Sequence, residues 1–317
     1  MKEGRKVAVV DVGSNSIKLL VARQGEAPGS VETIFVETIE TRISAGISRT
    51  IPSLSETAIR AGAASIAELV RMAREYEPET IRIVATSAVR DAVNGDEFIE
   101  SVRNATGLTI RILSGGEEAS LIGRGLSVDP QVAGVRDFFQ VDIGGGSLEL
   151  IRFRHRGIER ALSLQLGAVR MTERFVRDRE SAIDEATVQE LSAHVRGEIE
   201  RSGFDFEPTD EPLIATGGAF SVTRAVLAAE REKPIEAYSA LLGREEFSRL
   251  RKLLCALPLH ERMAVPHLPA ARADVMPAAL ITIEALLDRA RRDAVTHSFY
   301  NLRYGVAAEC LAAPAAG

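Results

Sequence analysis

The stretch Asp11-Val12-Gly13-Ser14-Asn15-Ser16 recurs as Asp142-Ile143-Gly144-Gly145-Gly146-Ser147. An apolar run precedes each copy, Val7-Ala8-Val9-Val10 and Phe138-Phe139-Gln140-Val141. Another follows each, Ile17-Lys18-Leu19-Leu20-Val21 and Leu148-Glu149-Leu150-Ile151. Strand, tight polar turn, strand is the simplest reading of both. The aspartate ends the first strand and the small residues make the turn. Glycine lets backbone approach a ligand without a Cβ in the way. Successive amides, with the hydroxyls of Ser14, Ser16 and Ser147, can then converge on one anion. Gly13, Ser14, Asn15 and Ser16, and Gly144, Gly145, Gly146 and Ser147, are therefore the expected phosphate-binding residues. Either hairpin alone is weak evidence. The shared offset of Asp, Gly, Ser and a later Leu (Leu19, Leu150) makes the pair informative, and implies two half-domains that each hold one side of a phosphate.

Composition bounds the rest. At 317 residues, with 45% hydrophobic and 26% charged side chains, the chain is long enough for two domains of a globular protein. A formal net charge of −6 gives no global field favouring nucleic acid. A polyanionic substrate must then be held by local basic groups and a metal. Two cysteines, Cys255 and Cys310, build no disulfide framework, and both read as buried, inert thiols of apolar helices. The apolar run near the start breaks at Asp11 and is too short for a signal peptide. No membrane span is expected, and the expected location is the cytoplasm.

Residues 6–51 read as strands. Helices are expected from an opening at Pro52-Ser53-Leu54-Ser55-Glu56 to about Tyr76, from a cap at Asn94-Gly95-Asp96 to about Ala105, and from Ser114 to about Gly125. Strands are expected over 80–86 and 108–113. The second half repeats the plan, with strands from Phe138 to about Ala168 and at 213–215 and 295–299. Its helices fall near 170–178, 184–201, 244–256, 272–292 and 301–311, with one more after Gly218. Alternating strands and helices in both halves mark an α/β protein. The expected domains are 1–126, joined by a C-terminal helix at 301–312, and 127–300.

Seven stretches carry a resemblance: VDVGSNSIKLLVA at 10–22, ATSAVRDA at 85–92, ILSGGEEASLIGRG at 112–125, VDIGGGSLEL at 141–150, LGAVRMTERF at 166–175, ATGGAFS at 215–221 and RADVM at 272–276. Together they resemble the exopolyphosphatase / guanosine-pentaphosphate phosphatase family of the actin-like superfamily. The resemblance implies two actin-like (ribonuclease H-like) lobes and hydrolysis of terminal phosphoanhydrides with Mg2+ or another divalent cation in an interdomain cleft. The expected substrate is inorganic polyphosphate or guanosine pentaphosphate, and a homodimer is expected. An actin-like metabolite kinase and a non-catalytic polyphosphate or alarmone sensor are the competing classes. The kinase reading lacks an identifiable acceptor-site aspartate. The sensor reading is opposed by the retained acidic residues.

From the residues, Asp142 is the first expected metal ligand and Asp11 the second, because Mg2+ takes a few carboxylates along with waters and phosphate oxygens. The resemblance adds Glu149 as a metal or water partner. Ser114-Gly115-Gly116-Glu117 fits a capping box, which gives Glu117 a structural use. The spacing does not separate Glu117 from Glu118 as general base; the family pattern points to the second, Glu118. Arg90, after a strand end, can grip a phosphate with a fork of donors. Thr216, Gly217 and Gly218 resemble a nucleotide loop. Arg170 either touches the anion or packs. His155, His194, His260, His267 and His297 lack ligand spacing and read as ordinary residues. Arg291-Arg292 reads as a solvated helix end. Three departures from the family pattern stand out, Lys18-Leu19, Tyr304 and Met276-Pro277-Ala278, and they bear on substrate preference. Longer relatives carry an added helical domain; without one, a weaker processive grip is expected.

Overall fold

The computed structural model describes residues 4–27, 29–132, 134–206 and 210–313. The chain divides into two compact units, Met1–Val135 with Tyr300–Gly317, and Arg136–Phe299.

The first unit runs β1 (Lys6–Val12), β2 (Ile17–Gln24), β3 (Val31–Ile39), α1 (Glu56–Arg74), β4 (Thr80–Ala85), α2 (Ser87–Arg90), α3 (Gly95–Thr106), β5 (Ile110–Ile112) and α4 (Gly115–Ser127). Its sheet has the order β3-β2-β1-β4-β5. The first three strands are antiparallel, and β4 and β5 join in parallel. The second unit runs β6 (Phe138–Ile143), β7 (Leu148–Arg154), β8 (Gly157–Leu164), α5 (Ala168–Phe175), α6 (Glu185–Arg201), β9 (Leu213–Thr216), α7 (Gly218–Ala229), β10 (Leu241–Gly243), α8 (Arg244–Ala256), α9 (Leu259–Arg262), α10 (Met276–Ala290) and β11 (Ala294–His297). The order β10-β11-β9-β6-β7-β8 contains the same antiparallel triple, followed by parallel β9 and β11. The repeated turn therefore occupies the same place in both sheets. Each unit has the ribonuclease H-like, actin-like plan expected from the repeat. The last helix, α11 (Leu302–Ala312), belongs to the first unit.

Local chemistry explains the elements. Every residue of β6 is buried, including the polar Gln140 and Asp142 among its apolar side chains. The Ser55 side chain caps α1 by accepting from the Ala58 amide, and the helix buries Ile59, Ala63, Ile66, Leu69, Val70 and Ala73 as a single stripe. Gly107, with φ 75°, ends α3 in the left-handed conformation. Among the described residues no helix is long and apolar enough to cross a membrane.

Several expectations need correction. Residues 40–51 are not strand. That segment folds onto the first repeated turn, where the Ser44 amide and hydroxyl both donate to the Ser14 carbonyl, at 3.3 and 2.9 Å. Asn94 makes no side-chain cap for α3. Its amide instead pairs with both backbone groups of Leu54, at 2.8 and 3.0 Å. The short elements α2, α9 and β10 carry too little periodicity to read. Cys255 is buried, and burial raises its thiol to about 11; Cys310 is only half-buried. Arg291 is the left-handed cap of α10. Pro277 lies in the first turn of α10, where its missing N–H costs no hydrogen bond. Tyr304 is 6% exposed, and its hydroxyl lies 2.8 Å from that of Thr33. It is a packing residue that ties α11 to β3.

The α4–α11 contact is backbone on backbone. A Cβ at Gly305 would overlap the Leu121 carbonyl, and one at Gly125 would overlap the Asn301 carbonyl. Gly305→Val should force the helices apart and cost about 1–3 kcal/mol or more, as overpacking does. A thermal melt reads this directly. An unchanged melting temperature would mean that the two helices can separate freely.

Candidate active site

In the first unit the β1–β2 turn closes with a hydrogen bond from the Gly13 amide to the Ser16 carbonyl, 3.2 Å. The Ser14 hydroxyl lies 3.4 Å from that of Ser87, at the start of α2. Asn15 is anchored. Its Nδ2 donates to Glu40 Oε2 at 3.1 Å, and its Oδ1 accepts from Arg42 Nε at 2.8 Å. The side chain thus binds segment 40–42 to the turn.

The glutamate pair separates cleanly. Ser114 and Glu117 form a reciprocal capping box at the start of α4. The Ser114 amide, with the Arg111 guanidinium and the Ser114 hydroxyl, draws the Glu117 carboxyl down to about 2. Glu117 is exposed and engaged in the cap. Glu118, one residue further round the helix, is 6% exposed. Arg90 Nη1 donates to Glu118 Oε2 at 2.8 Å and to the Leu113 carbonyl at 2.9 Å. The structure thus brings together Arg90, Glu118 and the α4 N-terminus, and separately Ser14 and Ser87.

Asp11 has a different setting. It lies directly across from Lys18. Burial raises its carboxyl, and the Lys18 and Arg303 charges oppose that rise. Arg303 Nη1 donates to the Leu19 carbonyl at 3.1 Å. Two cations beside Asp11 make it the poorest cation ligand of the three expected carboxylates.

In the second unit the position equivalent to Lys18 is Glu149, directly across from Asp142. Both are buried, 1% and 8% exposed. Directly opposed like charges destabilise a sheet unless something offsets them. Thr216 Oγ1 donates to Asp142 Oδ2 at 2.5 Å, and Ser163 Oγ donates to Glu149 Oε1 at 2.8 Å. Among the described residues no group of three or more His, Cys, Asp or Glu gathers as a cation site. Two neighbouring carboxylates nevertheless suit Mg2+, which takes a few carboxylates along with waters and phosphate oxygens.

The turn between them presents amides for a reason that hydrogen bonding makes plain. The Gly144 carbonyl accepts from the Ala168 amide, and the Gly145 carbonyl from the amides of Val169 and Arg170. Arg170 Nε donates to the Gly146 carbonyl at 3.0 Å. The Gly144 amide is used inside the turn, donating to the Ser147 carbonyl at 3.1 Å; with the carbonyls drawn to α5, the turn can offer a ligand the amides of Gly145, Gly146 and Ser147. Arg170 therefore packs against the turn. Gly167 permits this docking, since a Cβ there would strike the backbone of Gly145, Gly146 and Ser147. Gly217 has φ 101°, and a Cβ there would sit 2.6 Å from Asp142 Oδ1. A Cβ at Gly218 would meet the Arg272 guanidinium.

Sequence reasoning missed one group here. His297 is 1% exposed, with ring nitrogens 3.2 Å from Ser221 Oγ and 3.3 Å from Arg224 Nη1. Burial first, and then the Arg224 charge, push it down to about 3. A histidine lowered in the folded state binds its proton more tightly when unfolded. Its contribution to stability is therefore present above about pH 6.5. It is lost as pH falls toward 3. Melting temperature should decline through that window, and His297→Gln should flatten the decline. Equal slopes for the two proteins would contradict a buried neutral ring.

A family model described as the Ppx/GppA phosphatase family matches residues 20–313. The chain is 30% identical to exopolyphosphatase 2 of Mycobacterium tuberculosis, over 95% of this chain and 97% of that one. It is 28% identical to the guanosine-5'-triphosphate,3'-diphosphate pyrophosphatase of Vibrio atlanticus, over 95% of this chain and 58% of the relative. The fold matches the crystal structure of an exopolyphosphatase from Cytophaga hutchinsonii with a TM-score of 0.85 at 26% identity, covering 97% of this chain and 98% of that one.

Proposed function

From the premise that the chain belongs to the Ppx/GppA phosphatase family, we propose that it is an exopolyphosphatase, releasing orthophosphate from the ends of inorganic polyphosphate. The observation that carries this reading is the buried Glu118, paired with Arg90 at the positive end of α4. In the reaction a water oxygen attacks the terminal phosphorus. The bond to the bridging oxygen breaks, and the shortened chain leaves with the electron pair.

Each group has a task that its setting supports. Glu118 orients the water and takes its proton on a carboxylate oxygen. Arg90 grips the terminal phosphoryl oxygens, and its bond to Glu118 aligns phosphate and water together. The Gly13–Ser16 and Gly144–Ser147 turns offer amides and hydroxyls to phosphate oxygens. Asp142 and Glu149 would hold Mg2+ or another divalent cation, which when bound supplies positive charge to the phosphate oxygens. Thr216 and Gly217 buttress Asp142, and Gly218 lies against the Arg272 guanidinium.

A second substrate is supported by the similarity to the Vibrio pyrophosphatase: guanosine pentaphosphate, cleaved at its terminal 5'-phosphate. The chemistry at phosphorus is the same. Orthophosphate release from long polyphosphate, guanosine pentaphosphate and ATP, measured side by side with Mg2+, tests the assignment. Fastest release from polyphosphate is expected. Release from guanosine pentaphosphate alone would transfer the assignment to the second substrate, and release from none of the three would refute both.

A further inference from the structure

His297, Ser221 and Arg224 lie outside the groups assigned above, yet their hydrogen bonds have only one possible direction. Arg224 is 3% exposed, and a guanidinium only donates. Its Nη1, 3.3 Å from His297 Nδ1, must donate to that nitrogen. Nδ1 is then the unprotonated ring nitrogen, and the proton resides on Nε2. Nε2–H donates to Ser221 Oγ at 3.2 Å. The Ser221 hydroxyl is left to donate onward, and it does so to the Gly217 carbonyl at 3.0 Å. That carbonyl also accepts the Ser221 amide at 3.1 Å. A neutral ring is what the chain requires, and its depressed proton affinity agrees.

The far end is equally fixed. Arg224 Nη2 donates to the Tyr238 carbonyl at 2.6 Å, and its guanidinium lies 5.1 Å from the centre of the Phe299 ring. The near end is Gly217, which at φ 101° lies so close to Asp142 that a Cβ would sit 2.6 Å from Oδ1, and its neighbour Thr216 donates its hydroxyl to Asp142 Oδ2.

We propose that Arg224, His297 and Ser221 form a directional hydrogen-bond relay that fixes the Thr216-Gly217 turn and thereby sets the orientation of the Asp142 carboxylate. These are positioning residues, acting through Asp142. A donor chain polarised from its buried end holds its acceptor more firmly than an isolated bond. The functional half of the proposal rests on the reading of Asp142 as a cation ligand, whereas the relay itself does not.

The test has two arms. Nitrogen-15 spectra of the imidazoles in the full-length protein at neutral pH should show His297 as the neutral Nε2–H tautomer. An Nδ1–H tautomer or an imidazolium would overturn the relay, whatever Asp142 does. The second arm titrates Mg2+ in orthophosphate release from polyphosphate, for wild type, Ser221→Ala, Ser221→Thr, His297→Leu and the double variant Ser221→Ala/His297→Leu. Outer-shell partners of a metal ligand are worth about 10–100-fold in metal affinity. Ser221→Ala should raise the Mg2+ midpoint about tenfold, and Ser221→Thr, which keeps the hydroxyl, should restore it. The double variant should be no worse than the more impaired single one, because the relay acts as a unit. Folded variants with wild-type midpoints, or strictly additive losses, would overturn the positioning role. Asp142→Asn serves as the control. If it also leaves the midpoint unchanged, the cation reading fails, and the tautomer alone decides the relay.

Discussion

Glu118→Gln should lower turnover about 10²–10⁴-fold, the usual cost of removing a general base. Substrate binding should be nearly unchanged. Gln preserves the shape of the side chain, and its carbonyl oxygen can still accept from Arg90 Nη1, which lies 2.8 Å from the carboxylate in the native protein. What is lost is the ability to receive a proton from water. The comparison that matters is Glu117→Gln. That residue closes the α4 cap and bonds Arg111 on the surface. Gln can still accept from the Ser114 amide as the third residue of a capping box, so that change should leave both the fold and the rate nearly unaltered. A dead Glu117→Gln enzyme beside a near-normal Glu118→Gln enzyme would reverse the assignment.

Asp142→Asn should weaken activity and raise the Mg2+ midpoint by at least about 10–100-fold, the range that loss of even an outer-shell partner costs. The argument is electrostatic. Asp142 and Glu149 face each other across β6 and β7 while both are buried. Removing one charge relieves their repulsion, so the variant should fold at least as stably as wild type. It also halves the negative charge that attracts a cation. Higher stability combined with a raised Mg2+ midpoint is the signature of a cation site, and a merely structural aspartate would not give it. A Mg2+ titration superimposable on that of wild type would remove Asp142 from the metal site.

The two hairpin turns were legible because small residues at fixed offsets from a strand-end aspartate form a pattern that survives in one dimension. The same repeat exposed the two similar sheets. Glu117 and Glu118 were not separable, since adjacent helix positions differ only in the direction they face. The α4 cap and the depth of Glu118 decide that. The contrast between Asp11–Lys18 and Asp142–Glu149 was present in the sequence at equal offsets, and strand register turned it into a difference in charge. Residues 40–51 were misread because Thr41, Ile43 and Ile47 look like strand. The segment turns instead: Ser44 donates to the Ser14 carbonyl, and the Ile47 amide donates to the Ser44 carbonyl. His297 could not be found in advance. Its partners, Ser221 and Arg224, lie far away in the chain and meet it only because β11 runs beside β9, which leads into α7.

The central claim is that water attacks the terminal phosphorus. Polyphosphate hydrolysis run in water enriched in oxygen-18, followed by mass spectrometry of the released orthophosphate, tests it most directly. The expected product is orthophosphate carrying a single heavy oxygen from solvent per turnover, formed by wild type and not by Glu118→Gln. Heavy oxygen retained on the shortened chain would place the attack on the neighbouring phosphorus and contradict the account.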